Sequence, residues 1–210
     1  MRHLDRANIP VPLCLVNYNS PPNTWGDLTG PDRALIHISL EAMQGRICAY
    51  CEGALDSLGQ HIEHFRRRSI FPGSTFDWTN LYWSCDQQDS CGHYKDSGAG
   101  SYNVADLIEP CIDDPDHYFR FRSDGTINVR FGLTVAESLR ATETLRVFNL
   151  NPQWGRLRNM RRAAVYSYIN LTDGAEGLTA DDLQQLFSDE LQSTQHGPFS
   201  TAIRHVLTEP

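Results

Sequence analysis

The chain has 210 residues, of which 40% are hydrophobic, so it is long enough for one domain with a substantial core or a small domain plus an elaboration. Its formal net charge of -8 argues against a stand-alone nucleic-acid binder, because such a protein ordinarily carries a basic surface. No apolar run approaches a membrane span, and the N-terminus lacks a secretory signal, so we expect a cytoplasmic protein without membrane contact. Cysteines stay reduced in that compartment, so the six cysteines indicate metal binding before disulfides.

The first half of the chain alternates irregular stretches with short regular elements. Residues 1–30 are rich in proline, asparagine and glycine and predict an irregular segment. A helix is predicted over PDRALIHISLEAMQGR, with Asp32 in its first turn and Gly45 at its end. The aromatics of DWTNLYWSC alternate loosely and predict a strand or a loop. The polar, glycine-rich stretch DQQDSCGHYKDSGAGSYN predicts a loop with at most one helical turn.

The second half begins with a hairpin signal and continues with helices. In HYFRFRSDGTINVRF, alternating aromatics flank an Asp-Gly turn. Capping boxes are predicted at Thr134 with Glu137 and at Thr179 with Asp182. The predicted helices lie in TVAESLRATETLRVFNL, RLRNMRRAAVYSYIN, TADDLQQLFSDELQ and PFSTAIRHVLT. We therefore expect three parts: an irregular segment (1–30), a cysteine-rich region (31–132) and a helical C-terminal region (133–210).

Two pairs of cysteines frame the centre of the chain. Their number and spacing predict a structural Zn²⁺ site with the ligands Cys48, Cys51, Cys85 and Cys91. A loop-rich centre has little core of its own, so this metal would contribute directly to folding free energy. A competing ligand set keeps the first pair and adds His61 and His64. Its interval is short for a zinc finger, and it leaves two cysteines unused. Cys14 and Cys111 fall outside both sets and are expected to be small buried hydrophobic residues.

Once the four thiols are assigned to zinc, His64 is free for chemistry. His64 and Asn80 lie between the two cysteine pairs, and His93 follows the last cysteine, in the order of an HNH endonuclease. Phosphodiester hydrolysis needs a base that activates water, and a histidine with a pKa near 7 suits that role. It also needs a divalent cation to stabilise charge on the phosphate. Singly, each residue is better explained by a structural role, as a half-buried histidine, a turn asparagine or a zinc ligand. Only the ordered set favours a nuclease.

The sequence resembles the HNH nuclease subunit PtuB of Septu-type and retron-associated bacterial antiphage systems. The resemblance runs through CAYCEGAL, HIEHFRRRSIFPGSTFDWTNLYWSC and SCGHYKD, and continues into LIEPCIDDPDHYFRFRSDGTI and TLRVFNLNPQWGRLRNMRR. It covers about residues 30–165. It implies an α+β fold in which region 31–132 is a zinc-stapled ββα-metal centre, followed by a helical C-terminal part. It also implies a PtuA-like ATPase partner and, through the retron association, a reverse transcriptase with its RNA–DNA product.

The resemblance assigns a role to each motif residue. His64 takes the general-base position, Asn80 orients the base or its loop, and His93 is the last, metal-binding position. Glu63 and His93 would hold a catalytic Mg²⁺ or Mn²⁺ ion.

Substrate contacts are expected from Lys95 and from the arginine run at 66–68, beginning with Arg66. Two features depart from the usual family pattern. Five residues separate Cys85 from Cys91 where two are more usual, and Gly92 stands where many relatives carry the last asparagine or histidine.

The sequence therefore predicts a metal-dependent HNH endonuclease acting on DNA or RNA as the effector of an antiphage system. The alternative, from a different class, is a non-catalytic zinc-binding adaptor subunit of an ATPase complex. The net charge and the two arginine clusters, at 66–68 and 156–162, predict weak, salt-sensitive binding of nucleic acid by the isolated chain. The C-terminal helices offer a docking surface for the partner, with the residues Tyr166, Tyr168, Leu183, Leu186 and Phe187. The same periodicity fits the alternative that these residues pack against the chain's own core.

Overall fold

The computed structural model describes residues 1–169 and 179–209 of this α+β chain. Two small antiparallel sheets lie among helices. The helices are α1 Gly30–Gln44, α2 Leu55–Leu58, α3 Cys91–Ser97, α4 Pro115–Tyr118, α5 Val135–Val147, α6 Arg156–Ile169, α7 Ala180–Thr194 and α8 Ser200–Thr208. The strands are β1 His61–His64, β2 Leu81–Ser84, β3 Phe119–Phe121 and β4 Ile127–Val129. No helix within the two described ranges is long and apolar enough to cross a bilayer.

The N-terminal half places the predicted helix close to its expected bounds. The Thr29 side chain caps α1 by accepting from the Asp32 backbone N–H, and Gly45 ends the helix with a left-handed φ of 62°. The residues before α1 contain two short 3₁₀ helices, Leu13–Asn17 and Trp25–Asp27, and otherwise lack regular structure. The irregular segment is thus largely as the sequence predicted, except for these two turns.

The centre of the molecule is a ββα unit formed by β1, β2 and α3. The strands pair antiparallel from His61 opposite Ser84 to His64 opposite Leu81, and β2 is buried along its whole length. The sequence did not predict β1, and it predicted at most one turn where α3 has seven residues. Helix α3 carries little apolar periodicity because the residues it buries include Cys91, Gly92 and Lys95. Their burial depends on partners distant in sequence.

The second half follows its local signals closely. The hairpin forms with Phe119 opposite Val129 and turns through Gly125, which has a φ of 82°. Both predicted capping boxes are present, at the starts of α5 and α7. Helix α6 packs on α8, which in turn contacts β3. Residue 170, the end of one predicted helix, and residue 210 lie outside the described residues. The division of the chain at residue 132 stays a prediction.

The side chain of Gln44 joins the end of α1 to β2. Its Nε2 donates to the Ile47 carbonyl at 2.9 Å and the Trp83 carbonyl at 3.0 Å, while its Oε1 accepts from the Trp83 N–H at 2.9 Å. Gln44 is only 1% exposed. Its amide therefore replaces a neighbouring strand at this edge of the small sheet.

Replacing Gln44 with leucine should lower the free energy of unfolding by about 2–4 kcal/mol, because the Trp83 N–H and the Ile47 carbonyl lose their partner in a dry environment. Denaturant unfolding of the zinc-loaded protein measures the change. The matched control is Glu41→Leu on the exposed side of the same helix, which should stay within about 0.5 kcal/mol of the parent. Equal stability of the two variants would show that the Gln44 bonds contribute nothing net.

Candidate active site and metal centre

Four buried thiols meet beside the ββα unit. The Sγ atoms of Cys48, Cys51, Cys85 and Cys91 lie within 4.8 Å of one another. The Cys51 and Cys85 sulfurs are 3.9 Å apart. Thiolates on one tetrahedral Zn²⁺, at about 2.3 Å from the ion, are about 3.8 Å apart. The donor set and its spacing therefore fit zinc.

The backbone around the thiols is arranged to support their charge. The Cys85 N–H points to the Cys48 sulfur at 3.3 Å, and the Gly53 N–H points to the Cys51 sulfur at 3.4 Å. Burial, followed by the neighbouring Cys48 thiol, raises the pKa of Cys91 well above its ordinary value. A bound divalent cation would instead lower the pKa of the thiol, because a coordinated thiol gives up its proton.

The competing zinc-finger ligand set is wrong in geometry. His61 and His64 are absent from the thiol cluster, whereas Cys85 and Cys91 complete it. The two remaining cysteines lie elsewhere: Cys14 is buried, and Cys111 is half-buried with its sulfur 3.8 Å from the Met43 sulfur. The predicted four-cysteine set is thus the one that the fold brings together.

His64, at the end of β1, is a buried imidazole with a fixed orientation. Its Nε2 lies 3.0 Å from the Thr75 carbonyl oxygen, which can only accept, so Nε2 carries the proton and Nδ1 is left as a base. The Trp25 ring packs edge-on against the imidazole at 4.4 Å. Burial, reinforced by the charge of Arg68, lowers the pKa of His64 to about 4. The ring is therefore neutral at pH 7, and its pKa lies below the value near 7 that the sequence analysis expected of a general base.

Asn80 holds the chain segments around this imidazole. It is fully buried, and its Nδ2 donates to the carbonyls of Ser74 at 2.9 Å and Arg66 at 3.1 Å. Its Oδ1 accepts from the Arg66 N–H at 2.6 Å. Asn80 thus ties the residues after β1 to the segment that presents the Thr75 carbonyl. This position agrees with the loop-orienting role assigned from the sequence, and that role in catalysis stays a prediction.

His93 faces out of α3 and belongs to a second cluster of possible ligands. Its Nε2 lies 2.9 Å from Asp86 Oδ1, and the same oxygen lies 3.2 Å from His61 Nδ1. The two imidazole rings are 4.1 Å apart. The donor atoms of His61, Asp86 and His93 all lie within 4.8 Å of one another, which suits a single cation.

Glu63 lies next to this cluster and forms an ion pair with Lys95. Its Oε1 is 2.7 Å from the Lys95 ammonium, and both side chains are almost completely buried. Burial alone would lower the pKa of Lys95, but Glu63 and Asp96 raise it above its ordinary value. A Cβ at Gly92 would lie 2.4 Å from Glu63 Oε2, so the departure to glycine at this position lets α3 approach the acid closely.

The expected contact of Lys95 with a substrate phosphate therefore needs correction. The Lys95 side chain is fully buried, and its ammonium is taken by Glu63, Asp96 and the His64 carbonyl. No exposed donor is left for a phosphate. The charge of Lys95 neutralises Glu63 instead.

The arginine runs are largely paired within the chain. Arg66 lies 3.7 Å from Glu109, and Arg67 lies 3.2 Å from Asp96. Arg68 is exposed above the Trp25 ring. In the second run, Arg156 pairs with Asp89, Arg158 with Asp124, and Arg161 is buried against backbone carbonyls. Arg66 as a substrate contact stays a prediction.

One cleft brings together the side chains that could bind a metal or a phosphate or transfer a proton. Its lining includes His61, Glu63, His64, Arg67, Arg68 and His93. Sequence reasoning had not assigned His61 or Asp86 to a catalytic cation. Strand alternation, had β1 been recognised, would have placed His61 on the same face as Glu63. Asp86 directly follows a zinc cysteine, but no local pattern indicates which way its side chain points.

No protein-family model matches the chain. The chain is similar to a protein of Vibrio cholerae serotype O1 biovar El Tor that carries the name "Retron Vc95 putative HNH endonuclease". The two are 25% identical over 144 residues, which cover 65% of this chain and 67% of the relative.

Cys48→Ser should abolish the copurification of about one zinc ion per chain and lower the stability of the ββα unit, because three thiols do not close a structural tetrahedral site. Mass-spectrometric metal analysis and thermal unfolding measure both effects. Cys111→Ser, outside the cluster, is the control and should keep its zinc. A parent protein without zinc, or a Cys48 variant with full zinc, would contradict the assignment.

Proposed function

We propose that the chain is a metal-dependent HNH endonuclease that hydrolyses phosphodiester bonds of DNA or RNA. The observation that carries this proposal is the placement of His64. A neutral imidazole, fixed through Nε2 by a backbone carbonyl, lines the same cleft as the possible cation ligands His61 and His93. The similarity to the Vibrio cholerae protein supports a nuclease role at the level of the HNH family.

The residues around the cleft divide the work of hydrolysis. His64 takes a proton from the attacking water at Nδ1, since Nε2 is already committed to Thr75. Asn80 keeps the base in place by holding the loop that carries Thr75. Arg67 and Arg68 lie on the cleft wall, where a phosphate would approach. A bound divalent cation would supply charge stabilisation on the phosphate and the leaving oxygen.

The nuclease acts, in this proposal, as the effector of a bacterial antiphage system together with a PtuA-like ATPase. The retron in the relative's name supports a reverse transcriptase and its RNA–DNA product as further partners. The internal pairing of most cluster arginines also supports a partner, because little positive charge remains to hold a polyanion.

The predicted docking surface lies partly on exposed helix faces. Tyr166 of α6 is 66% exposed, whereas Tyr168 packs against the core. Helix α7 has no buried residue, and an open apolar groove runs along it. That groove is lined by Ala180, Leu183, Gln184, Phe187, Ser188 and Leu191. Phe187 and Leu191 pack partly against the core, so only part of this amphipathic face is left for a protein partner.

His64→Ala should lower the rate of nucleic-acid cleavage by about 10²–10⁴-fold, because it removes the base that activates water. Zinc content and folding should be retained, with a lower melting temperature because the buried imidazole and its bond to the Thr75 carbonyl are lost. His117→Ala is the matched control, since His117 is an exposed histidine that also contacts a carboxylate, Glu137, outside the cleft. If His64→Ala cleaves like the parent, or if no divalent metal supports cleavage by the parent, the nuclease proposal fails and the adaptor alternative gains support.

Coexpression with a PtuA-like ATPase should yield a complex that coelutes in size-exclusion chromatography and cleaves under regulation. The isolated chain should cleave poorly at physiological salt, because few unpaired arginines are left for phosphate contact. Cleavage assays with and without the ATPase, over a range of salt concentrations, measure this dependence. Full activity of the isolated chain without coelution would contradict the partner and leave the nuclease proposal intact.

A further inference from the structure

We propose that His61, Asp86 and His93 hold the divalent cation of the cleft, that the ion is a transition metal such as Mn²⁺, and that Glu63 positions His61. The three ligands come from the start of β1, the loop after β2 and helix α3. The inference rests on the proposed nuclease function, whose cation site it specifies. It replaces the sequence-based pair of Glu63 and His93.

The separations within the cluster match those of ligands on one ion. Asp86 Oδ1 lies 3.2 Å from His61 Nδ1 and 2.9 Å from His93 Nε2. Donor atoms about 2.1 Å from a metal are about 3.0–3.4 Å apart when they occupy adjacent octahedral or tetrahedral positions. Only small side-chain adjustments are therefore needed for all three to bind the same ion.

Charge and exposure also favour this position. Among the described residues, Asp86 forms ion pairs with the two histidines and with no lysine or arginine. Its side chain is 51% exposed. A cation here would gain an uncompensated carboxylate and two imidazoles while keeping coordination positions open to water or a phosphate.

Glu63 differs from Asp86 because its charge is already compensated. Its Oε1 pairs with the buried Lys95 ammonium at 2.7 Å. Its other oxygen, Oε2, lies 3.4 Å from His61 Nε2, the ring nitrogen opposite the one that faces Asp86. The acid thereby favours a proton on Nε2 and leaves the Nδ1 lone pair for the metal. Carboxylates commonly orient metal-binding histidines in this way.

The donor set selects the kind of metal. Imidazole nitrogens suit first-row transition metals, whereas Mg²⁺ prefers oxygen ligands and keeps most of its water. Among the first-row ions, Mn²⁺ also favours the carboxylate and water oxygens of this site. The four thiols are softer donors and suit zinc. The thiol cluster therefore suits zinc, and the histidine cluster suits a first-row transition metal rather than Mg²⁺.

A titration of Mn²⁺ into the zinc-loaded full chain, followed by electron paramagnetic resonance, tests the assignment. The parent should bind about one Mn²⁺ beyond its zinc. His61→Ala and Asp86→Asn should each weaken Mn²⁺ binding at least about tenfold. Asp89→Asn is the matched control, an exposed aspartate in the same loop that pairs with Arg156, and it should bind like the parent. Zinc content measured on every variant confirms that the thiol site is intact.

Two substitutions of Glu63 separate a positioning role from direct ligation. Glu63→Gln keeps an oxygen that accepts from His61 Nε2, so Mn²⁺ affinity should stay within about tenfold of the parent. Glu63→Ala removes that acceptor and should weaken binding by about 10–100-fold, the range measured for residues that orient metal ligands. Equal, complete loss in both variants would instead mark Glu63 as a ligand.

Unchanged Mn²⁺ affinity in both His61→Ala and Asp86→Asn would overturn the inference, because an ion on Glu63 and His93 would be insensitive to them. Cleavage assays on the same samples separate this failure from that of the nuclease. Mn²⁺ bound by the three residues without any cleavage would leave the metal site standing and remove the nuclease. Mg²⁺-supported cleavage that Asp86→Asn does not change would leave the nuclease proposal standing and remove the metal site.

Discussion

Four buried thiols connect three separate parts of the chain, and the geometry of the cleft depends on that connection. They join the turn after α1, the end of β2 and the start of α3. A two-stranded sheet with a short helix is marginal on its own, so a metal at the thiols would supply the missing stability. Asp86 directly follows Cys85, and His93 follows Cys91 by two residues. The thiols that would hold a metal at the centre therefore also set the positions of two residues of the candidate cation site.

Burial gives neighbouring titratable groups in the cleft different charge states. His64 is buried beside Arg68 and stays neutral, whereas Lys95 is buried beside two carboxylates and stays charged. A buried ion pair such as that of Lys95 and Glu63 is a weak source of stability, because desolvation offsets much of the attraction. The pair instead fixes an acid beside His61. The neutral His64 imidazole keeps a nitrogen that can accept a proton. Burial and charge pairing thus set the protonation of both His64 and the Glu63–Lys95 pair.

Local signals predicted the elements whose structure is decided locally. The hairpin around Gly125, the end of α1 at Gly45 and the capping box of Thr134 follow from turn and cap chemistry within a few residues. The four thiols and the order of the motif histidines were also readable from spacing. Strand β1 and most of helix α3 were missed because their burial comes from distant partners. For the same reason the sequence analysis assigned Lys95 to substrate contact. It also did not predict that His61 and Asp86 lie close together.

The distribution of the arginines limits how the cleft can meet a polyanion. A net charge of -8 repels nucleic acid at long range, and most arginines of the two clusters neutralise acids of the same chain. The buried Arg161 guanidinium donates to backbone carbonyls, so it stabilises the fold and is not available to bind a phosphate. Of the run at 66–68, Arg68 is the most exposed and lies beside His64. Contacts from one or two arginines position a phosphate but do not retain a long strand. Under the proposed function, retention of a long strand would come from another surface, and the half-buried apolar groove of α7 is a candidate contact for a protein that supplies it.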